Sequence, residues 1–335
     1  MFYKRLWTVT VLTAFLFSFT ACDKKNPIKE VSKIPVTDTA SPILNNSADN
    51  EATTEAPTSA PVMDDIPSIA GTMTKETYPS VDGSTATIPL SAAIYRFATG
   101  ASKEEADAKI VHTKTTNAYL SLISGDSDLL IAYEPSGDVY DALGETNVKL
   151  NMKPVGRDAL VFLANKTNPV KSLTKEQLIR IYEGKITNWS SAGGPDQKII
   201  AFQRPETSGS QTLMRKLVMK DTPMMEAPGI MKPSEMADLI NALADYANES
   251  NALGYSVYYY TQNMYNLPDI RYMAVDGIEP DINTIKNNSY PYINEFYTVI
   301  REDEPADSNA HKIFDWLTGA EGQNLIEELG YVPVK

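Results

Sequence analysis

The chain has 335 residues, 42 % hydrophobic and 22 % charged, enough apolar material for one two-lobed protein or two ordinary domains. A formal net charge of −13 argues against nucleic acid or an anionic membrane surface as partner. It leaves a small anion open, because such sites work through local dipoles. One cysteine and two histidines exclude an internal disulfide and leave no metal cluster in view, so neither metal nor cofactor is expected.

Met1 to Arg5 is a basic start, and Leu6 to Thr20 is apolar but too short for a comfortable membrane span. The stretch ends in Phe19-Thr-Ala-Cys22, which resembles a bacterial lipobox with cleavage before Cys22 and a lipid on its sulfur. An ordinary signal peptide with an incidental cysteine is the other reading. Residues 1–21 are thus read as signal peptide. Residues 22–72, rich in Asp, Asn, Ser, Thr, Ala and Pro, are read as a tether that cannot bury enough surface to fold. Such a tether reaches roughly 40 Å and holds a globular body off a membrane surface.

The body opens at Tyr78 with a strand that turns at Asp82-Gly83 and enters a helix near Pro89, its apolar stripe made by Leu90, Ala93, Ile94 and Phe97. Ile110 to Asn117 reads as a short extended piece, with His112 on the surface at its end, leading into a helix around Ala118–Ile123. Asp128-Leu-Leu-Ile-Ala-Tyr133 is a buried strand left at Glu134-Pro-Ser136, and Asp158 to Ala164 is another. Thr174, with Gln177 three residues on, caps a helix ending at Gly184. A short strand at Lys198–Phe202, a helix from about Ser234 to Ala247, a strand at Leu253–Tyr258 and an extended run at Tyr290–Ile300 follow; helices at 310–318 and 320–329 close the chain. Strands alternating with helices predict an α/β protein with mainly parallel sheets.

The stretch with most chemistry is Phe202-Gln-Arg-Pro-Glu-Thr-Ser-Gly-Ser210, a strand exit, a Ser/Gly loop and a helix start. Such a loop presents N–H groups and hydroxyls at the positive end of a helix dipole, and Arg204 adds a planar cation suited to a bidentate grip on an oxyanion. The alternative is a plain cap, with Thr207 or Ser208 satisfying the helix start. Two further helix starts carry hydroxyls, at Thr87 and at Thr115-Thr116.

Several segments, in this order, resemble the phosphate-binding proteins of bacterial ABC-type phosphate importers, within the two-lobed type II periplasmic-binding-protein fold. They are Asp158 to Asn165, Lys185 to Trp189 with Gly193-Gly194, Arg204 through Ser210, Ala320 to Gln323 and Gly330 to Pro333, and the resemblance covers residues 76–335. It implies lobes at 73–157 plus 292–335 and at 158–291, a ligand cleft between them, and hinges near Gly156–Asp158 and Tyr290–Asn294. By motif match, Arg204, Ser208, Gly209 (through its N–H) and Ser210 would hold phosphate, Thr87 would give its hydroxyl, Ile88 its N–H, and Thr115 and Thr116 would stand for a serine pair. The family's ligand-binding aspartate falls on Tyr133 by strict count, with a carboxylate one residue on at Glu134, and Glu206 replaces the aspartate beside the arginine. Glu134, or Glu206, would then accept a phosphate proton and reject sulfate.

The resemblance implies a non-enzymatic lipoprotein on the extracytoplasmic face of the cell membrane that delivers inorganic phosphate to the importer's permease subunits. A surface lipoprotein binding another oxyanion or an organic phosphate is the alternative. A serine hydrolase built on Ser208-Gly-Ser210 is the enzymatic rival, weakened by the lack of a Gly-x-Ser-x-Gly elbow.

Overall fold

A computed structural model describes residues 66–245, 250–265 and 268–334. Every described residue lies in one compact unit, Ser59–Lys335. The signal peptide, Cys22 and most of the tether fall outside the described residues. The last tether residues do not: Ile69 is buried and the Gly71 N–H donates to the Phe97 carbonyl (3.0 Å), so the folded body begins ahead of residue 73. Ile69 and Met73, with the partly buried Ile66 beside them, dock this otherwise polar piece on the core.

The strands in chain order are β1 (Val81–Gly83), β2 (Leu129–Tyr133), β3 (Leu150–Asn165), β4 (Ser172–Leu173), β5 (Ile200–Ala201), β6 (Ala252–Val257), β7 (Ile270–Val275), β8 (Ile293–Arg301) and β9 (Val332–Pro333). The helices are α1 (Ile88–Thr99), α2 (Lys103–Lys109), α3 (Thr115–Ser124), α4 (Gly137–Gly144), α5 (Lys175–Tyr182), α6 (Gly209–Leu213), α7 (Met236–Asp245), α8 (Ile282–Lys286), α9 (Asn309–Trp316) and α10 (Ala320–Glu328). The main path of sheet pairing runs β1-β2-β8-β3-β6-β5.

The pairing is mixed rather than mainly parallel. β1/β2, β4/β7 and β5/β6 are parallel, whereas β2/β8, β3/β6, β3/β7, β3/β8 and β3/β9 are antiparallel. The cause is β3. Its first part, Leu150 to Ala159, pairs with β8, and its second part, Leu160 to Asn165, pairs with β6 and β7. A strand that passes straight from one set of partners to the other, with β8 returning beside it, needs no crossover helix and pairs antiparallel.

Burial explains why β2 reads so clearly. All five of its residues are buried, Leu129, Ile131 and Tyr133 in the main core and Leu130 and Ala132 against Tyr119, Leu122 and Val139. The two-residue period of a strand makes that division. Asp82-Gly83 differs from expectation. It lies within β1 rather than in a turn, and Asp82 is buried because its carboxylate accepts the Thr113 N–H (2.7 Å) and the Thr113 hydroxyl (2.5 Å).

Candidate functional site

The ends of β1 and β2 and the starts of α3 and α6 converge. Ser84, one residue past β1, is the hub. Its Oγ shares a 2.8 Å hydrogen bond with Thr115 Oγ1 and accepts the Tyr133 N–H at 3.0 Å. Its carbonyl accepts Nδ1–H of His112 at 2.8 Å. From the other side Gly209 presses on the same group: a Cβ there would stand 2.4 Å from Thr115 Oγ1 and 3.3 Å from the Tyr133 ring. Ser84 and His112 carry this geometry without having stood out in the sequence. His112 is buried, not a surface strand end, and burial pushes its pKa down, which keeps the imidazole neutral and able to hold the Ser84 carbonyl.

The helix starts at this point lack the side-chain caps of several other helices, as do α1, α4 and α10. α2, α5, α8 and α9 begin with side-chain caps from Ser102, Thr174, Asp281 and Ser308. α3 and α6 begin at Lys114 and Ser208 with none. Ser208 Oγ instead shares a 3.0 Å bond with Ser210 Oγ, so the plain-cap reading of this loop fails, and the N–H groups of Gly209 and Ser210 have no intrahelical acceptor. Lys114 holds φ at 80°, a conformation rare outside glycine, as it leads into α3.

Arg204 sits at the exit of β5, its N–H donating to the side-chain oxygen of Gln211 in α6 (3.3 Å) and to Tyr255 Oη (3.1 Å). The side chain is only 3 % exposed. Nη2 donates to the Ser234 carbonyl (3.0 Å), while Nε and Nη1 are sealed from solvent with no acceptor. Arg204 makes no ion pair among the described residues. Burial holds its pKa below the usual arginine value, the mark of a cation stripped of water and not yet compensated.

The remaining expected site residues are placed differently. Thr87 donates its hydroxyl to the Ile131 and Ser84 carbonyls (2.5 and 2.9 Å), and the Ile88 N–H goes to the Thr85 carbonyl. The tight turn at 85–87 absorbs the Ile88 donor, whereas the Thr87 hydroxyl ties that turn to β2. Thr115 is at the hub, whereas Thr116 bonds to Ser136 Oγ (3.0 Å) at the start of α4. Glu134 is ion-paired with Lys216 and accepts from the Tyr297 hydroxyl (3.2 Å). Glu206 is 54 % exposed and holds Arg215, not Arg204, through two 2.6 Å bonds that keep its carboxyl below the usual range. Both glutamates, with Ser136, Tyr140 and Arg215, line a cavity of about 620 Å³ beside the hub.

Tyr133 gives its hydroxyl to Asp158 Oδ2 (2.6 Å), and Asp158 Oδ1 accepts the N–H groups of Ala159 and Tyr259 (2.7 and 3.0 Å). Burial outweighs these bonds and raises the Asp158 pKa from 3.8 to about 6. The folded chain therefore binds this proton more tightly than the unfolded chain. The resulting contribution to stability is fullest below about pH 4 and falls, by on the order of 2–3 kcal/mol, as pH rises through about 6. Asp158→Asn is expected to flatten that decline, as read from urea unfolding of both proteins across the window.

The domain profile of the PBP superfamily matches residues 51–321 of this chain. The chain belongs to that superfamily. Its mixed α/β sheet flanked by helices is the two-lobed PBP fold. Among curated relatives, the phosphate-binding protein PstS of Borreliella burgdorferi is 25 % identical over 188 residues, 53 % of this chain and 64 % of that one. PstS of Bacillus subtilis is 27 % identical over 180 residues, 52 % of this chain and 56 % of that one. The match thus spans less than two thirds of either relative. A phosphate ABC transporter substrate-binding protein from Clostridium perfringens, crystallised with bound phosphate, shares the PBP fold with a TM-score of 0.58. It is 23 % identical, over 77 % of this chain and 100 % of that one. Neither histidine bonds to Ser208 or Ser210 among the described residues.

Proposed function

We propose that this chain captures inorganic phosphate and passes it to the permease of an ABC importer. The observation that carries the reading is Arg204, a buried cation with two idle nitrogens, whose backbone N–H bonds to Gln211 of the uncapped helix α6. A dehydrated oxyanion needs just such donors. In this reading Arg204, Ser208, Gly209, Ser210 and Thr115 hold the anion, with Ser84 orienting Thr115. The lobes comprise 73–157 plus 292–335 and 158–291, and they close by bending where β3 and β8 run between them, near Asp158 and Asn294. The names of the PstS relatives support the choice of phosphate. Attachment through a lipid on Cys22 would keep the protein at the extracytoplasmic face of the membrane; the intact mass of membrane-extracted chain checks this point.

The test is calorimetric titration of protein freed of ligand by partial unfolding and dialysis. Saturable one-to-one phosphate binding at micromolar or lower concentration is expected. No heat and no change in melting temperature with phosphate would remove the reading.

A further inference from the structure

Every group free to meet a ligand at this site is a proton donor or can act as one. The N–H groups of Gly209 and Ser210 and the idle Nε and Nη1 of Arg204 only donate, and the hydroxyls of Thr115, Ser208 and Ser210 turn either way. A site selects a protonated anion over an unprotonated one by presenting a fixed acceptor, in practice a carboxylate, whose lone pair meets the ligand's O–H and repels a bare oxygen.

Among the described residues, the carboxylates near the site are either paired with other groups or exposed, as Asp138 and Asp221 on the cavity wall are. Glu134 faces Lys216 and Tyr297. Glu206 faces Arg215 and Gln211. Asp82 holds Thr113, and Asp158 is closed by Tyr133, Ala159 and Tyr259. The acids whose charges reach Arg204, Glu235 and Asp238, are exposed, and Glu235 is paired with Lys114. Tyr133, which stands at the end of β2 where an acid would face the hub, has its hydroxyl turned to Asp158.

From this geometry we infer that the site selects tetrahedral oxyanions by charge and shape and not by protonation, so that sulfate occupies it nearly as well as phosphate. The inference rests on the oxyanion reading above and sharpens it. It reverses the expectation that Glu134 rejects sulfate.

The experiment titrates the full chain, freed of ligand, with inorganic phosphate and with sulfate at neutral pH, and repeats both with Glu134→Gln. Sulfate affinity within tenfold of phosphate, with the ratio unmoved in Glu134→Gln, is the expected result. Sulfate weaker by more than tenfold overturns the inference while the phosphate reading stands. A sulfate-to-phosphate ratio that shifts more than tenfold in Glu134→Gln overturns it too, and returns the role of acceptor to Glu134. Binding of neither anion removes both the inference and the reading beneath it.

Discussion

Arg204→Met is expected to weaken phosphate binding by roughly thirtyfold or more while leaving the ligand-free protein at least as stable as the parent. These two effects separate a ligand-holding arginine from a structural one. Removing one member of a buried, hydrogen-bonded charge pair costs about 2–5 kcal/mol, a loss of roughly thirtyfold or more in affinity. In the ligand-free protein the balance differs, because the guanidinium is buried with Nε and Nη1 unsatisfied and without an ion pair among the described residues. An apolar side chain of similar length relieves that penalty, against which stands the loss of one bond to the Ser234 carbonyl, on the order of 1 kcal/mol. Melting curves show both effects at once. Phosphate at a hundredfold over its dissociation constant stabilises the parent by about 2.7 kcal/mol and should stabilise Arg204→Met by no more than about 0.9 kcal/mol. Arg204→Lys keeps the charge without the planar fork and should fall between the two. A methionine variant that binds like the parent would falsify the assignment.

How much of this was legible in the sequence depends on how local each signal was. β2 stood out because both of its faces are buried, leaving an unbroken apolar run. Thr174 and Gln177 form the expected reciprocal cap because a capping box spans only four residues. The loop from Arg204 to Ser210 was legible for the same reason. The contacts that fix what the site can do span long separations. Glu134 finds Lys216 across 82 residues, Tyr133 finds Asp158 across 25, and Ser84 finds Thr115 across 31. A sequence shows an acid at the end of a strand and not the lysine that will neutralise it. Two further donors are spoken for in ways the sequence does not show: the Ile88 N–H closes the tight turn at 85–87, and the Thr87 hydroxyl reaches the Ile131 carbonyl 44 residues on. The parallel-sheet expectation failed because it read each strand as one half of a crossover, whereas β3 serves both sets of partners itself.

Gly209→Ala should weaken phosphate binding by about five- to 150-fold without unfolding the chain, and adding Thr115→Ala should cost less than the sum of the two losses. The added methyl would lie 2.4 Å from Thr115 Oγ1, 3.3 Å from Thr115 Cβ and 3.3 Å from the Tyr133 ring, so something must move. Forcing one methyl into a filled space costs about 1–3 kcal/mol, which sets the expected range. Where that strain is relieved is decided by topology. Gly209 opens α6, beyond β5, while Thr115 opens α3 and Tyr133 ends β2. β5 pairs with β6, and β2 pairs with β1 and β8, so the colliding groups belong to opposite ends of the sheet path joined through β3. In the proposed two-lobed motion, opening the cleft separates them at little cost to either core, and the variant should stay folded but open. Small-angle scattering with saturating phosphate should then report a larger radius of gyration for Gly209→Ala than for the parent. Thr115→Ala removes the oxygen that makes the shortest contact, so in the double variant the two losses should not add, even though Thr115 is itself placed as a ligand-holding residue. Additive losses would mean that the methyl acts within α6 alone, and that the close approach of Gly209 to Thr115 is no part of closure.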